Sequence, residues 1–379
     1  MKTDFSDEFK LSDTVIYLNH AGVAPWPTRT ASAVQRFAEE NIRQGALDYP
    51  AWLAREDLLR EQFKALINAP SVDDIALVKN TSEALSFVAM GLNWQAGDNI
   101  VSSDEEFPSN RLPWQALAER GVKLRQARLN ASDDPEEALL SLVDERTRLL
   151  TISSIQFASG LRIDLERLGA FCRRHQILFC IDAIQSLGAV CVDAQACHAD
   201  FIMADGHKWM LGPEGIGLFY STPQARAQLD VSQYGWHMIE QLNNYDNLPW
   251  RIAINARRFE CGSMNMLGIH ALSASLSLLL EIGAETIENL ILSHTAYLME
   301  GINQCEDLCL LSPELQRLRS GIVLFRHQRI ANEHLYAHLR SQGVICAQRG
   351  AGIRFSPHFY NSEAQLAKAL DIVLACPPD

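Results

Sequence analysis

The sequence predicts an α/β fold in which a mostly parallel sheet is covered by helices on both faces. Between residues 75 and 220, short apolar runs alternate with segments of helical periodicity, which is the pattern of strand–helix–strand units. The predicted strands are Ile75–Val78, Asn99–Ser102, Leu149–Ile155, Ile177–Ile181, Phe201–Ala204 and Ile216–Tyr220; helices are predicted at Ser82–Met90, Pro113–Arg120 and Leu165–His175. Because ligands of such sheets bind at the carboxyl ends of the strands, polar residues directly after a strand are the first candidates for function.

A smaller α/β domain is predicted after the sheet, since 379 residues exceed what one small core needs. An apolar helix at residues 267–282 suits a connector, and strand, helix, strand and helix follow at Gly321–Arg326, Asn332–Ser341, Ile353–Phe355 and Ser362–Leu374. We therefore predict a large domain of residues 16–266 and a small domain of residues 1–15 and 267–379.

Composition favours a small-molecule partner. The net charge is −13 and no block is rich in lysine or arginine, which argues against nucleic acid and against a membrane surface as partners. The first residues lack the pattern of a secretory signal, and no apolar run is long enough to span a bilayer, so we expect a cytoplasmic protein. The nine cysteines are scattered and odd in number, so we expect neither a disulfide framework nor a metal site.

Two strand ends bring a carboxylate and an amine together. Asp182 and Gln185 follow one apolar run, and His207 and Lys208 follow another, beside a glycine-rich turn at residues 212–217. Chemistry on pyridoxal phosphate (PLP) needs a lysine that can attack an aldehyde and a carboxylate that keeps the pyridine nitrogen protonated. Lys208 and Asp182 fit these two roles, so we predict PLP as the cofactor.

The same residues resemble a known family, the class V aminotransferase and cysteine desulfurase group of fold-type I PLP enzymes. The match runs from Tyr17-Leu18-Asn19-His20-Ala21-Gly22 to the segment 354–361, and its most specific stretch is residues 182–217: Asp, two residues, Gln, then Gly-His-Lys and a Gly-Pro-x-Gly-x-Gly loop. The resemblance implies a large domain with a mostly parallel seven-stranded sheet between helices and a small α/β C-terminal domain. The chain looks nearest to the isopenicillin N epimerase-like branch.

The resemblance also implies roles for individual residues. Lys208 would hold PLP as a Schiff base, Asp182 would bind the pyridine nitrogen, and Gln185 would donate to the ring hydroxyl. Thr81 and Ser82, at the start of a predicted helix, would bind the phosphate together with His207. Phe107 would stack on the ring where desulfurases carry histidine, and Ser263 would reach the phosphate of a second chain, which makes a homodimer necessary.

The substrate is expected to be an amino acid. Its carboxylate needs a planar guanidinium, for which Arg354 is the first candidate and Arg349 the second. By resemblance, Asn19 and His20 would also contact substrate. Because Phe107 cannot move a proton, Lys208 would act as acid and base at the substrate Cα.

Several reactions share that first proton transfer. Only four residues separate Arg349 from Arg354, and they contain no cysteine, so a desulfurase would lack its nucleophile. We expect an aminotransferase, with a 2-oxo acid as a possible second substrate. The alternatives are a side-chain lyase resembling cysteine desulfurase or selenocysteine lyase, an amino-acid epimerase, and a non-catalytic PLP-fold binding or regulatory protein.

Overall fold

A computed structural model describes residues 5–129, 132–242, 246 and 249–378. Its strands are β1 Ile16–Tyr17, β2 Ile75–Val78, β3 Asn99–Ser103, β4 Lys123–Ala127, β5 Thr147–Ser153, β6 Leu178–Asp182, β7 Phe201–Asp205, β8 Gly217–Ser221, β9 Leu308–Leu310, β10 Val323–His327, β11 Val344–Ile345, β12 Ala347–Arg349 and β13 Gly352–Phe355. Its α-helices are α1 Thr28–Gln44, α2 Tyr49–Leu66, α3 Thr81–Gly91, α4 Leu112–Gln115, α5 Pro135–Leu140, α6 Leu165–His175, α7 Pro223–Arg226, α8 Met266–Ile282, α9 Ala284–Asn303, α10 Asn332–Ser341 and α11 Glu363–Leu374.

The main feature is a seven-stranded sheet with the order β2-β8-β7-β6-β5-β3-β4. Strands β4, β3, β5, β6 and β7 pair in parallel, whereas β8 is antiparallel to both of its neighbours. The predicted mostly parallel sheet is therefore confirmed. The carboxyl ends of these five strands and of β2 lie along one edge, because β2 and β7 are both antiparallel to β8, and this edge forms the floor of the candidate site.

Alternate residues of the central strands enter two separate cores, as the two-residue period of a strand requires. Ile181 and Ile202 belong to the first core, which includes residues of α2, α6 and α8, whereas Cys180 and Phe201 belong to the second, which includes residues of α3 and α4. Helices thus cover both faces of the sheet, as predicted.

The edge strand β4 explains one omission from the sequence analysis. Its sequence, Lys-Leu-Arg-Gln-Ala, is only partly buried, whereas β2, β3, β7 and β8 are buried throughout. Charged side chains on an edge strand oppose pairing with other chains. They also remove the apolar run by which a strand is recognised.

The C-terminal part forms the predicted small α/β unit. Strands β12, β13, β10 and β9 make an antiparallel sheet, and β1 pairs in parallel with β11, which attaches the N-terminal strand to this unit. A third core joins these strands to α10, α11 and the second half of α9.

Helix α8 packs on α1 and α2 and belongs to the first core, while α9 contributes Ile287 and Ile291 to the first core and Leu298 to the third. The boundary predicted after residue 266 stays a prediction, and we propose α9 rather than α8 as the connector. Within the described residues, no single helix is long and apolar enough to cross a membrane; α8 and α9 together pass that test by length and composition, with an 84° bend between them.

Candidate active site

A cavity of about 360 Å³ opens at the carboxyl ends of β6 and β7, where the large domain faces the small one. This volume is in the range of small-molecule sites. Its wall includes most of the predicted site residues, namely Thr81, Ser82, Phe107, Asp182, Gln185, His207, Lys208, Arg349 and Arg354. Residues as far apart in the sequence as Thr81 and Arg354 thus share one cavity: Thr81 follows β2 of the seven-stranded sheet, and Arg354 lies on β13 of the small antiparallel sheet.

Lys208 follows the turn at the end of β7, and its Nζ is 5.7 Å from the centroid of the Phe107 ring. Burial lowers the pKa of Lys208 to about 8; Asp182 opposes this shift, and the charge of Arg354 adds to it. A lower pKa gives more of the neutral amine, which is the form that attacks an aldehyde.

Asp182 is the last residue of β6 and is almost completely buried. Burial raises the pKa of Asp182, the neighbouring Glu106 raises it further, and a hydrogen bond from Ile184 N (3.1 Å) and the charge of Lys208 lower it. The carboxyl group therefore has a strong affinity for a proton or a cation at the cavity wall. A protonated pyridine nitrogen would satisfy that affinity.

The start of α3 forms the end of the cavity suited to a phosphate. Asn80 caps the helix through its Oδ1, which accepts from Glu83 N at 2.9 Å, so the first turn presents free amides and a positive dipole end. Thr81 Oγ1 accepts from Asp205 N at 3.1 Å, and Ser82 Oγ donates to Ser109 Oγ at 2.8 Å. The Thr81 hydroxyl keeps its proton available for a phosphate oxygen.

Two contacts hold Gln185 in place. Its Nε2 donates to Ala21 O at 3.2 Å, and its Oε1 accepts from Trp209 Nε1 at 2.9 Å. An amide nitrogen has two hydrogens, so one remains for the predicted bond to a ring hydroxyl.

Arg354 is a buried cation whose hydrogen-bond partners are neutral. Nη1 donates to Phe157 O at 2.6 Å and Nη2 to Asn19 Oδ1 at 3.3 Å, while Nε is buried and has no acceptor among the described residues. Burial lowers the pKa of Arg354 to about 9, and the nearby charge of Arg349 adds to the shift. A buried guanidinium beside a cavity without a carboxylate partner is suited to an anionic ligand.

Three predicted residues lie elsewhere. The ring of His20 is fully buried, with Nδ1 bonded to Ser356 O and Nε2 to Tyr360 Oη, and it is not on the cavity wall. Asn19 is not on the cavity wall, and its Oδ1 accepts a hydrogen bond from Arg354, which is. Ser263 is exposed and is also absent from the wall formed by one chain, so its predicted role depends on a second chain.

Glu106 is the residue whose importance the sequence analysis missed. It directly precedes Phe107, and its buried carboxylate accepts hydrogen bonds from Ser153, Asn110 and Gln156. Its position after a strand was a usable signal. Phe157 was also missed, because it contributes a backbone carbonyl that no sequence pattern marks.

The described wall of the cavity contains no cysteine. Cys346, the thiol nearest in sequence to the two arginines, is buried, and burial raises its pKa to about 12, so it stays protonated at neutral pH. All nine cysteines lie in the described part of the chain and are free of disulfides.

Three possible metal ligands, Glu56, His237 and Glu260, come together in the large domain. Arg60 lies among them, with Nη2 2.5 Å from Glu56 and Nη1 2.5 Å from Glu260, and supplies the positive charge that the carboxylates need. The group is therefore an ion-pair cluster, and the absence of a metal stays a prediction.

The residues on the cavity wall fit PLP. An amine of lowered pKa lies near an aromatic face, a buried carboxyl group has unusual proton affinity, a helix start with two hydroxyls is open, and Arg354 Nε lacks an acceptor among the described residues. These match the aldehyde, the pyridine nitrogen, the phosphate and an amino-acid carboxylate in turn. The fold and the site together define a fold-type I PLP enzyme.

Comparison with known proteins identifies the family of the chain. The chain matches the model described as "Aminotransferase class-V" over residues 16–368 and belongs to that family. The predicted family, fold class and PLP cofactor are confirmed by this match. The branch within the family stays a prediction.

The curated relatives have desulfurase names. A probable cysteine desulfurase of Methanothermobacter thermautotrophicus is 30% identical, with 93% of this chain and 92% of that protein covered. A cysteine desulfurase of Pectobacterium carotovorum is 33% identical over 80% of this chain and 72% of its own length.

Solved structures share the fold. The cystine C–S lyase C-DES, in complex with its product cysteine persulfide, has a TM-score of 0.90 at 24% identity and covers 97% of this chain and 99% of its own. A lysine-to-alanine mutant of C-DES, with glycine covalently linked to PLP, has a TM-score of 0.91 at 23% identity, covering 99% of this chain and 100% of its own.

Proposed function

We propose that this protein is a PLP-dependent side-chain lyase that cleaves the Cβ–S bond of a sulfur-containing amino acid, with cystine as the first substrate to test. The support comes from relatives named cysteine desulfurases and from the fold shared with a cystine C–S lyase. The lyase alternative from the sequence therefore has better support than the aminotransferase interpretation that the sequence analysis placed first.

The observation that carries the proposal is the cavity wall without a thiol among its described residues. A desulfurase that passes sulfur to its own cysteine needs a reactive thiolate on a reachable loop. Here Arg349 and Arg354 belong to paired strands β12 and β13, joined only through Gly350 and Ala351, and Cys346 is buried and protonated. The sulfur would therefore leave as a free product.

A disulfide substrate suits such a site. The reaction would convert cystine and water into pyruvate, ammonia and cysteine persulfide: the Cα proton is removed, the Cβ–S bond breaks, and the departing sulfur keeps the electron pair. A persulfide is a better leaving group than a simple thiolate because its conjugate acid is stronger. No acceptor thiol or added oxidant is required.

Bound PLP would supply the electron sink that makes the Cα proton acidic. Arg354 would hold the substrate carboxylate, and Lys208 Nζ, whose pKa is lowered by burial, would take the proton from Cα. Asp182 would keep a proton on the pyridine nitrogen, Thr81, Ser82 and the start of α3 would hold the phosphate, and His207 and Gln185 would complete the contacts.

Product analysis tests this proposal. Purified enzyme given cystine, with no 2-oxo acid added, should form pyruvate, ammonia and persulfide in equal amounts, and Lys208→Ala should form none. Cys346→Ser is the matched control and should keep the wild-type rate. Alanine as the product, with sulfur bound to the enzyme, would indicate a desulfurase; a requirement for a 2-oxo acid would indicate an aminotransferase. Either result would contradict the proposal.

We also propose that the active form is a homodimer in which Ser263 reaches the phosphate site of its partner. The support is that Ser263 is exposed and absent from the cavity wall of its own chain. If Ser263→Ala and Lys208→Ala chains are mixed, hybrid dimers should contain one site with neither change and regain activity. Failure to regain activity in verified hybrids would refute the shared site. Location in the cytoplasm stays a prediction.

A further inference from the structure

Glu106 is a fully enclosed carboxylate that none of the roles above uses. Oε1 accepts from Ser153 N (2.8 Å), Gln156 Nε2 (2.9 Å) and Ser103 Oγ (3.3 Å), and Oε2 accepts from Ser153 Oγ (2.5 Å) and Asn110 Nδ2 (2.8 Å). No Lys or Arg is among these partners. The carboxylate of Glu106 is thus surrounded by neutral hydrogen-bond donors.

The contacts of Glu106 lead to Asp182. Ser153, which gives Glu106 two of its hydrogen bonds, is the last residue of β5, and its Cα partner on β6 is Asp182. Glu106 is therefore bonded to the end of β5, and Asp182 ends the neighbouring strand β6. The other titratable groups that influence Asp182 or Glu106 here are Lys208 after β7 and Cys180 on β6.

Hydrogen bonding favours the charged form of Glu106. Three of its donors are N–H groups, which could not accept a hydrogen bond from a protonated Glu106. The hydroxyls of Ser153 and Ser103 also donate to the carboxylate. Burial raises the pKa of Glu106 above its ordinary value, and the bonds from Gln156, Ser153 and Asn110 oppose that rise without cancelling it. A negative charge retained this close to Asp182 makes removal of a proton from the Asp182 site less favourable.

We propose that Glu106 is a positioning residue that acts through Asp182: its buried charge keeps the proton shared by Asp182 and the pyridine nitrogen in the site. The proton stays bound to higher pH than Asp182 alone would allow, which preserves the electron-accepting form of the ring. The higher proton affinity of Asp182 beside Glu106 supports this role. The inference rests on the proposed role of Asp182 and not on which reaction the enzyme performs.

The same residue fixes two other parts of the site. Glu106 directly precedes Phe107, and Gln156, which donates to it, directly precedes Phe157, whose carbonyl accepts from Arg354. A change at Glu106 could therefore act by geometry as well as by charge. The test has to separate these two effects.

The experiment uses enzyme loaded with PLP that carries ¹⁵N in the ring, and follows the ring-nitrogen chemical shift from pH 6 to 10. Glu106→Gln removes the charge at nearly constant size and should lose the ring proton about one pH unit lower than wild type. Glu106→Asp keeps the charge with a shorter reach and should titrate close to wild type. Glu136→Gln, which also removes a buried carboxylate, is the matched control and should match wild type.

Asp182→Asn separates the role of Asp182 from that of Glu106, because this variant should lack the ring proton throughout the pH range. If Asp182→Asn behaves in this way and Glu106→Gln is identical to wild type at every pH, the role of Glu106 is refuted while that of Asp182 stands. If Asp182→Asn is identical to wild type, both roles fail. If Glu106→Asp shifts as much as Glu106→Gln, the effect is geometric and the proposal of a charge effect is overturned.

Discussion

Replacing Arg354 by glutamine should separate substrate binding from stability, because the arginine is a buried cation whose hydrogen-bond partners are neutral. Its pKa falls from 12.5 to about 9, chiefly through burial. At about 1.4 kcal/mol per pKa unit, this corresponds to a folding penalty on the order of 5 kcal/mol. Since the folded-state pKa is below the unfolded one, the penalty is fully present at neutral pH and disappears only as the pH rises from about 9 towards 12.5.

Part of that penalty is offset by the bonds to Phe157 O and Asn19 Oδ1, which glutamine can only partly reproduce. We therefore expect Arg354→Gln to increase the free energy of unfolding by roughly 1–2 kcal/mol, well below the full penalty. The variant should also lose the substrate carboxylate contact. Loss of about 3–4 kcal/mol of binding in the transition state would lower kcat/KM by roughly 10²- to 10³-fold.

The assay pairs thermal unfolding with steady-state kinetics, on enzyme loaded with the same cofactor. Arg349→Gln is the matched control: Arg349 lies on the same wall but is exposed, so its stability should change by less than about 0.5 kcal/mol and kcat/KM by less than about tenfold. An Arg354→Gln enzyme that is less stable than wild type and keeps the wild-type KM would refute both effects expected of this substitution. A larger catalytic loss in Arg349→Gln would transfer the carboxylate role to that residue.

Three further predictions follow from the same site. Lys208→Ala should lose the visible absorbance of covalently bound cofactor while still binding PLP, and a variant that kept this absorbance would exclude Lys208 as the anchor. In the wild type, the rate of cofactor attachment should rise with pH through about 8, where the Lys208 amine becomes neutral, and a rate that is flat from pH 6 to 10 would contradict the lowered pKa. Cys346→Ser should keep at least half of the wild-type kcat/KM for cystine, because its buried thiol is protonated, and a loss of more than tenfold without unfolding would show that the thiol takes part.

The residues at the centre of the site could be predicted from the sequence because the ends of apolar strands can be recognised there. Asp182 and Lys208 each follow an apolar run, and parallel strands necessarily bring such positions to one edge. Strand β4 was missed because charged residues of an exposed edge interrupt its apolar pattern. In each case the local sequence determined what could be recognised.

The contacts around Arg354 could not be predicted in this way. Its acceptors are a backbone carbonyl of Phe157 and a side chain at Asn19, at separations of 197 and 335 residues along the chain. His20 is a residue for which the sequence motif predicted a contact that the structure does not place at the cavity. It occupies a position that the family resemblance assigns to substrate contact, yet its ring packs against the rings of Tyr360 and His358, where burial lowers its pKa to about 4. A motif places a residue near a site, but packing decides where its side chain points.

The charges of the site connect substrate binding to proton transfer. Arg354 lowers the pKa of Lys208, so neutralising Arg354 with a substrate carboxylate removes that effect and raises the pKa of the released amine. Lys208 would thus be easiest to deprotonate before the substrate binds and would bind a proton more strongly once the carboxylate is in place. Because Phe107 offers no proton-transfer group, this change in a single lysine supplies both the free amine for attachment and the stronger base at Cα. Arg354→Gln should accordingly raise the pH midpoint of cofactor attachment above the wild-type value, and an unchanged midpoint would show that the two cations do not interact.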